Sequence, residues 1–265
     1  MSERAPYPWR MPADSLDGAV ALVTGASSGI GRATAIELAS RGAAVAVVAR
    51  RAERLEALAE ELRGSGATAL VIEADVTDRA AAEAAVVRTA KELGRLDVLV
   101  NNAGMMLLGP IVDAPVEEWE QMVNINVLGL LYCARAALPH LLAAADSSPR
   151  RTADLVNISS VAGRVARQGS GVYNATKHAV GAFSESLRQE VTGRHVRVSV
   201  VEPGAVATEL ASHNRPVVLE SIQERFAGIE RLEDQDIADV IAFIVTRPRR
   251  VAINEVLIRP TEQEQ

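Results

Sequence analysis

The chain is poor in cysteine, aromatics and histidine, and each shortage removes a class of function. Cys133 is the only cysteine, so no disulfide can form within the chain. It falls in the apolar run 127–138 and reads as a buried structural thiol. The four histidines, at 140, 178, 195 and 213, are scattered, and no Cys/His spacing suggests a zinc site. Phe, Tyr and Trp make up 3% of the residues, and no basic stripe carries interleaved aromatics. With a net charge of −6, no nucleic-acid partner is expected. Arg247, Arg249 and Arg250 form one small basic cluster, read as a solvated loop. No run reads as long and apolar enough to span a membrane, so no membrane partner is expected. Residues 1–16 hold Pro6, Pro8 and Pro12 but no apolar stretch, and are expected to be a flexible N-terminal arm rather than a secretory signal. A reducing cytoplasm fits this set of absences.

What remains is a globular composition, 48% hydrophobic and 23% charged in 265 residues. Strand-like runs at 19–24, 44–49, 68–73, 96–100, 155–159, 196–202 and 255–258 alternate with helical patterns at 29–41, 52–63, 78–93, 115–144, 171–192 and 234–246. That alternation predicts βαβ units, a parallel sheet and a single α/β domain over 17–265. Pro139 should break or kink the fourth helix near its end. The stretch 145–153 reads as a polar loop, and 208–229 shows no firm pattern beyond short helices.

The chemistry gathers around Tyr173. Lys177 lies four residues on, so on a helix the two share a face. An ammonium beside a phenol favours the phenolate and should lower the phenol from its usual value near ~10. Ser160 lies thirteen residues before Tyr173, at the end of the apolar run 155–158, where a strand end would present its hydroxyl to a substrate oxygen.

The first strand runs into Gly25-Ala26-Ser27-Ser28-Gly29-Ile30-Gly31 and then a helix. Glycines there let backbone approach a diphosphate, and the helix N-terminus offers free N–H groups. No Gly-Lys-Ser/Thr follows, which disfavours a nucleotide triphosphatase. The second strand ends in Ala49-Arg50-Arg51 with no carboxylate for a ribose 2′-hydroxyl. Ala49 leaves room for a 2′-phosphate and Arg50 can pair with it, which favours NADP(H) over NAD(H). Two readings stand for Arg51: a second phosphate partner, or the solvated start of the next helix. Asp75 reads, with Asp78, as a cap of the next helix.

Together, 24–31, Asn101-Asn102-Ala103-Gly104, Asn126, Ser160, Tyr173-x-x-x-Lys177 and Pro203-Gly204 resemble the short-chain dehydrogenase/reductase family, in order, over about residues 17–260. The resemblance implies a Rossmann-like doubly wound seven-stranded parallel sheet, a nicotinamide cofactor and commonly a homotetramer. It implies Tyr173 as acid/base, Lys177 as the residue that tunes it and bonds the nicotinamide ribose, and Ser160 as the holder of the substrate oxygen. Asn126 would be the helix-kinking residue that anchors a relay water, with Asn124 as a competing assignment. Asp75 and Val76 would contact adenine, and Asn102, Ala103 and Gly104 would run along the adenosine ribose. Pro203, Gly204, Val206 and Thr208 would hold the carboxamide.

Residues 106–110, 183–190 and 258–261 further resemble an NADP-dependent subgroup that includes clavulanate (clavaldehyde) dehydrogenase and 3-hydroxy acid dehydrogenases. The expected function is hydride transfer between NADPH and a small-molecule ketone or aldehyde. Alternatives of the same fold are alcohol oxidation, imine or enone reduction, and a non-catalytic dinucleotide sensor. Met105, Met106, Ala162, Arg164, Gln168 and Leu210 are candidate pocket residues, with Arg164 and Gln168 open to a polar substituent.

Overall fold

The computed structural model describes residues 15–264. The strands are β1 (Val20–Thr24), β2 (Ala44–Ala49), β3 (Ala69–Glu73), β4 (Val98–Asn101), β5 (Ala153–Ile158), β6 (Val196–Pro203) and β7 (Glu255–Ile258). They form one seven-stranded parallel sheet in the order β3-β2-β1-β4-β5-β6-β7. The helices are α1 (Gly29–Ser40), α2 (Ala52–Gly64), α3 (Arg79–Glu92), α4 (Val116–Val123), α5 (Leu130–Ser147), α6 (Gly171–Val191), α7 (Pro216–Arg225) and α8 (Asp234–Val245).

Strand residues alternate between two cores because successive side chains leave opposite faces. Ala21, Val23, Val45 and Val47 meet Leu38, Leu55, Leu58 and Ile241 under α1, α2 and α8. Leu22, Ala46 and Val48 meet Val86, Ala137, Leu141 and Leu187 under α3, α5 and α6. Both faces are covered, which is why the strands read as continuous apolar runs. Leu22, Leu38 and Leu155 are fully buried, and truncating one to Ala would cost about 2–5 kcal/mol.

Three buried charges of the sheet, Asp97, Asp154 and Arg197, sit at the end of the strands away from the helix-starting turns. Arg197 holds Asp154 through two bonds of 2.7 and 3.0 Å, and Asp97 accepts from Arg95 and from Val20 N–H. These pairs fix strand starts and take no part in the cleft described below.

Several expectations shift. Residues 1–14 of the expected arm lie outside the described residues, whereas Leu16 is fully buried and its N–H bonds Arg41 O at 2.7 Å. Asp75 does not cap α3: Asp78 does, accepting from Ala80 and Ala81 N–H, while Asp75 accepts from the Thr77 amide and hydroxyl. Residues 208–229 hold a 3-10 turn, Glu209–His213, and then α7.

The membrane expectation needs correcting. A π turn at Asn124–Gly129 joins α4 to α5, and the resulting helix Val116–Ser147 is, by length and composition alone, long and apolar enough to cross a membrane. Its inner face is core: Cys133, Ala134, Ala137 and Leu141 pack against the sheet and α3. Pro139 does not end this helix, which runs to Ser147 and shortens the expected loop. The π turn widens the helix where Asn126 reaches sideways. Its amide accepts from Met105 N–H at 2.8 Å and donates to Met105 O at 2.8 Å and Thr176 Oγ1 at 3.1 Å.

Candidate active site

The chain leaves β1 and β4, which are neighbours, in opposite directions, and a crevice must open between their carboxyl ends. A cleft of about 390 Å³ lies there. Every residue singled out from the sequence for cofactor or catalysis lines it except Gly31 and Asn126.

Those two stand just behind. A side chain on Gly31 would run into Gly25 O and Asn102 Nδ2, so this glycine lets the turn close onto β4. Gly25 has φ +66, and a Cβ there would lie 2.9 Å from Ala103 Cα. Asn102 completes the join by donating to Thr24 O at 3.0 Å, while Thr24 Oγ1 accepts from Asn102 and Ala103 N–H. A Cβ on Gly104 would sit 3.2 Å from Asn126 Oδ1 and 3.8 Å from Lys177 Nζ, which places Asn126 beside the lysine but behind the wall.

The start of α1 has no side-chain cap and no acid in its first turn. Its orphan N–H groups and positive end therefore face the cleft unneutralised, which suits a diphosphate. Beyond β2, Arg51 donates to Ser27 Oγ at 2.9 and 3.1 Å, to Ser28 Oγ at 2.7 Å and to Glu209 at 2.9 Å. Arg51 is exposed at the start of α2, as one of its two readings had it, and it also lines the cleft. Arg54 also holds Glu209, at 2.8 Å, and together they push that carboxyl down to about 2. Arg50 is the looser one, 3.7 Å from Asp75 and mostly exposed.

At the other end, β5 finishes at Ile158 and Ser160 begins a tight turn, accepting from Ala162 N–H and donating to Pro203 O at 3.3 Å. Asn174 pins the following loop to the start of α6. It donates to Ala162 O and Val165 O, both at 2.8 Å, and accepts from Arg167 N–H. Sequence reasoning missed this residue, although a buried Asn beside Tyr173 was the available signal. Arg164 and Gln168 do not line the cleft; Arg164 is bound to Glu202, at 2.8 Å, and to Glu255, while its neighbour Arg167 does line it. Met105, Met106, Ala162 and Leu210 line it as expected, joined by Ile222, Phe226, Arg231 and Gln263, which come from distant segments with no local signature.

Tyr173 and Lys177 are both buried, and the Lys177 Nζ lies 5.8 Å from the Tyr173 ring centre and donates to Ile158 O at 2.9 Å. The expected lowering of Tyr173 is not what the site does. Burial pushes the phenol up to about 12, against a smaller lowering by its hydrogen bond with Ser160. Burial also pulls Lys177 down to about 8. As pH rises the lysine loses its charge first, so it has none left when the phenol would ionise. Through the neutral range the pair is a neutral phenol beside a mostly charged ammonium.

That ammonium is held against its solvation preference. A folded-state value below the unfolded one costs stability fully below about pH 8, and the cost fades as pH rises towards the ordinary lysine value near 10.5. Lys177→Met is expected to stabilise the fold at pH 7 by about 1–3 kcal/mol after loss of the Ile158 bond. Thermal melts should show the gain shrinking between pH 8 and 10.5. A variant that melts below the wild type at pH 7 would contradict the buried-charge account.

A profile of the short chain dehydrogenase family matches residues 19–217. The chain belongs to the short-chain dehydrogenase/reductase family. It is 39% identical over 253 residues to a glycine betaine reductase of Emericella nidulans, covering 96% of this chain but only 19% of that protein. It is 35% identical over 241 residues to an uncharacterised oxidoreductase of Staphylococcus aureus, covering 91% of this chain and 96% of the relative. Among solved structures, the closed form of a serine dehydrogenase complexed with NADP+ superimposes with a TM-score of 0.84 at 34% identity, over 93% of this chain and 96% of that one. A Burkholderia phymatum member in complex with NAD superimposes with a TM-score of 0.80 at 27% identity, over 92% and 89%. The protein is thus an oxidoreductase of this family.

Proposed function

We propose that the protein is an NADP(H)-dependent reductase of ketones or aldehydes. The observation that carries this reading is the neutral, buried Tyr173 phenol bonded to Ser160 at the floor of the cleft, with the Lys177 ammonium one helical turn away. A neutral phenol is the form that reduction needs, because the developing alkoxide must receive a proton. Ser160 and Tyr173 bond the substrate oxygen and stabilise its growing charge, and Tyr173 gives up its proton. Lys177 then lies where it stabilises the phenolate left behind, and Asn126 holds the wall beside it.

A nicotinamide cofactor, when bound, supplies the hydride. The residues present fit its phosphorylated form. Arg51 and Arg54 converge beyond β2 and already hold one anion, the Glu209 carboxylate, while Arg51 also donates to the hydroxyls of Ser27 and Ser28. Asp75, which lines the cleft after β3, is offset by Arg50. A 2′-phosphate would take the same donors, and the uncapped start of α1 would take the diphosphate. The NADP complex among similar structures supports this choice, although an NAD complex is among them too.

Screening NADPH oxidation over aldehydes, ketones and oxo acids tests the reading, beginning with carbonyl substrates of the clavaldehyde and 3-oxo acid type that the resemblance of residues 106–110, 183–190 and 258–261 suggests. No oxidation with any carbonyl would sink it. A non-catalytic sensor would have no use for a proton donor held in this way. We further propose a homo-oligomer, a tetramer by family resemblance, covering the outer apolar side of the 116–147 helix. Light scattering that gives a monomer at working concentration would refute it.

A further inference from the structure

One anion of the cleft comes from the chain itself, and from the far half of the sheet. In the order β3-β2-β1-β4-β5-β6-β7, β2 and β6 stand on opposite sides of the crevice between β1 and β4. Arg51 and Arg54 follow β2 and Glu209 follows β6, so the ion pairs between them cross that crevice. Thr208 is carried across with its neighbour: a Cβ on Gly29, the first residue of α1, would lie 3.0 Å from Thr208 Cγ2. Glu209 also opens the turn Glu209–His213, from which Leu210, Ala211 and His213 line the cleft. The crossing segment thus touches the helix start proposed for the diphosphate and ends on the arginines proposed for the 2′-phosphate.

Arg51 commits Nε and Nη2 to Ser27 and Ser28, at 3.1, 2.9 and 2.7 Å. Nη1 is the nitrogen left for an anion, and it donates to Glu209 at 2.9 Å. Arg54 Nη1 donates to both oxygens of the same carboxylate, at 2.8 and 3.0 Å. All three side chains are half-exposed, so water screens these pairs and leaves them exchangeable. A phosphate monoester brings about two negative charges and three acceptor oxygens against the single charge of a carboxylate. It wins the guanidinium, and the carboxylate left beside it is repelled. A ribose hydroxyl in the same place has no charge with which to displace the carboxylate, and it can donate to it.

We infer that Glu209 is a tethered competitor of the cofactor's 2′-phosphate for Arg51 and Arg54, which sets how far NADPH is preferred over NADH and releases the crossing segment when NADPH binds. This rests on the NADP(H) reading of the cleft. Glu209 narrows the discrimination that the arginines alone would give. With NADH in the cleft the segment stays tied across the crevice.

Calorimetric titration of the full-length wild type and Glu209→Gln with NADPH and NADH reads the competition. Glu209→Gln should tighten NADPH about 3- to 10-fold, the range for exposed ion pairs that no longer have to be broken, and leave NADH nearly unchanged. The gain should vanish when Arg51 and Arg54 are both replaced by Met. Hydrogen exchange supplies a readout besides affinity. Amides of 209–226 should exchange faster in the wild type saturated with NADP+ than with NAD+, and the difference should disappear in Glu209→Gln. Weaker NADPH binding by Glu209→Gln would make the carboxylate a clasp on the bound cofactor and overturn the inference. Unchanged NADPH affinity, or equal exchange with the two cofactors, would overturn it too. If Arg51→Ala still weakens NADPH more than NADH in those cases, the 2′-phosphate site stands and only the competition falls. Equal losses of NADPH and NADH in Arg51→Ala would sink both.

Discussion

Tyr173→Phe should lower kcat by about 10²- to 10⁴-fold, the usual worth of a positioned proton donor, while NADPH still binds. The ring keeps its packing, since Tyr173 is 6% exposed and only the hydroxyl is removed. Stopped-flow turnover with any active carbonyl, together with a fluorescence titration of NADPH, separates the two effects. Turnover at the wild-type rate would rule out Tyr173 as the acid. Parallel loss of binding and turnover would point to a misplaced cleft rather than a missing proton. The pH profile adds a second check. With Tyr173 pushed up to about 12 and Lys177 pulled down to about 8, reduction should hold across neutral pH and weaken as the ammonium is lost above about pH 8.

Removing the guanidiniums beyond β2 should split the two nicotinamide cofactors. Each of Arg50→Ala and Arg51→Ala should weaken NADPH by about 10- to 100-fold, the value of a charge-assisted hydrogen bond left unmade, and NADH far less. The larger loss should come from Arg51, which is fixed by Ser27 and Ser28, whereas Arg50 is mostly exposed beside Asp75. Calorimetric titration with both cofactors measures this. Equal losses for NADPH and NADH would refute the 2′-phosphate assignment. Because the sites are exposed, the NADPH term should also fall with added salt.

The sheet was readable because most of its strands are short apolar runs closed by glycine or polar residues, with both faces buried in β1, β2, β4, β5 and β6. Strand ends were less readable: β5 begins at Ala153 rather than 155, and Asp154, a charge that interrupts the apolar run, is buried in the sheet against Arg150 and Arg197. The π turn escaped periodicity because its cause is a side chain reaching a different segment, Asn126 to Met105. Within the site, the residues that touch backbone or cofactor in fixed ways lie in short local motifs, so Gly25, Ser160, Tyr173 and Lys177 could be named in advance. Arg231, Phe226 and Gln263 could not, since they reach the cleft only through long-range folding. Arg164 was singled out for its neighbourhood, but Glu202 on β6 claims it. The sign of the tyrosine shift failed for a similar reason: proximity of charge was legible, and depth of burial was not.

Cys133 is 2% exposed on α5, and burial pushes its thiol up to about 12. A thiol reagent therefore reaches it only when that helix lifts from the sheet, and since no other cysteine exists, each labelling event counts one such excursion. The wild-type chain carries its own gauge of local opening, and the reagent can time how often the layer under the nucleotide crevice breathes.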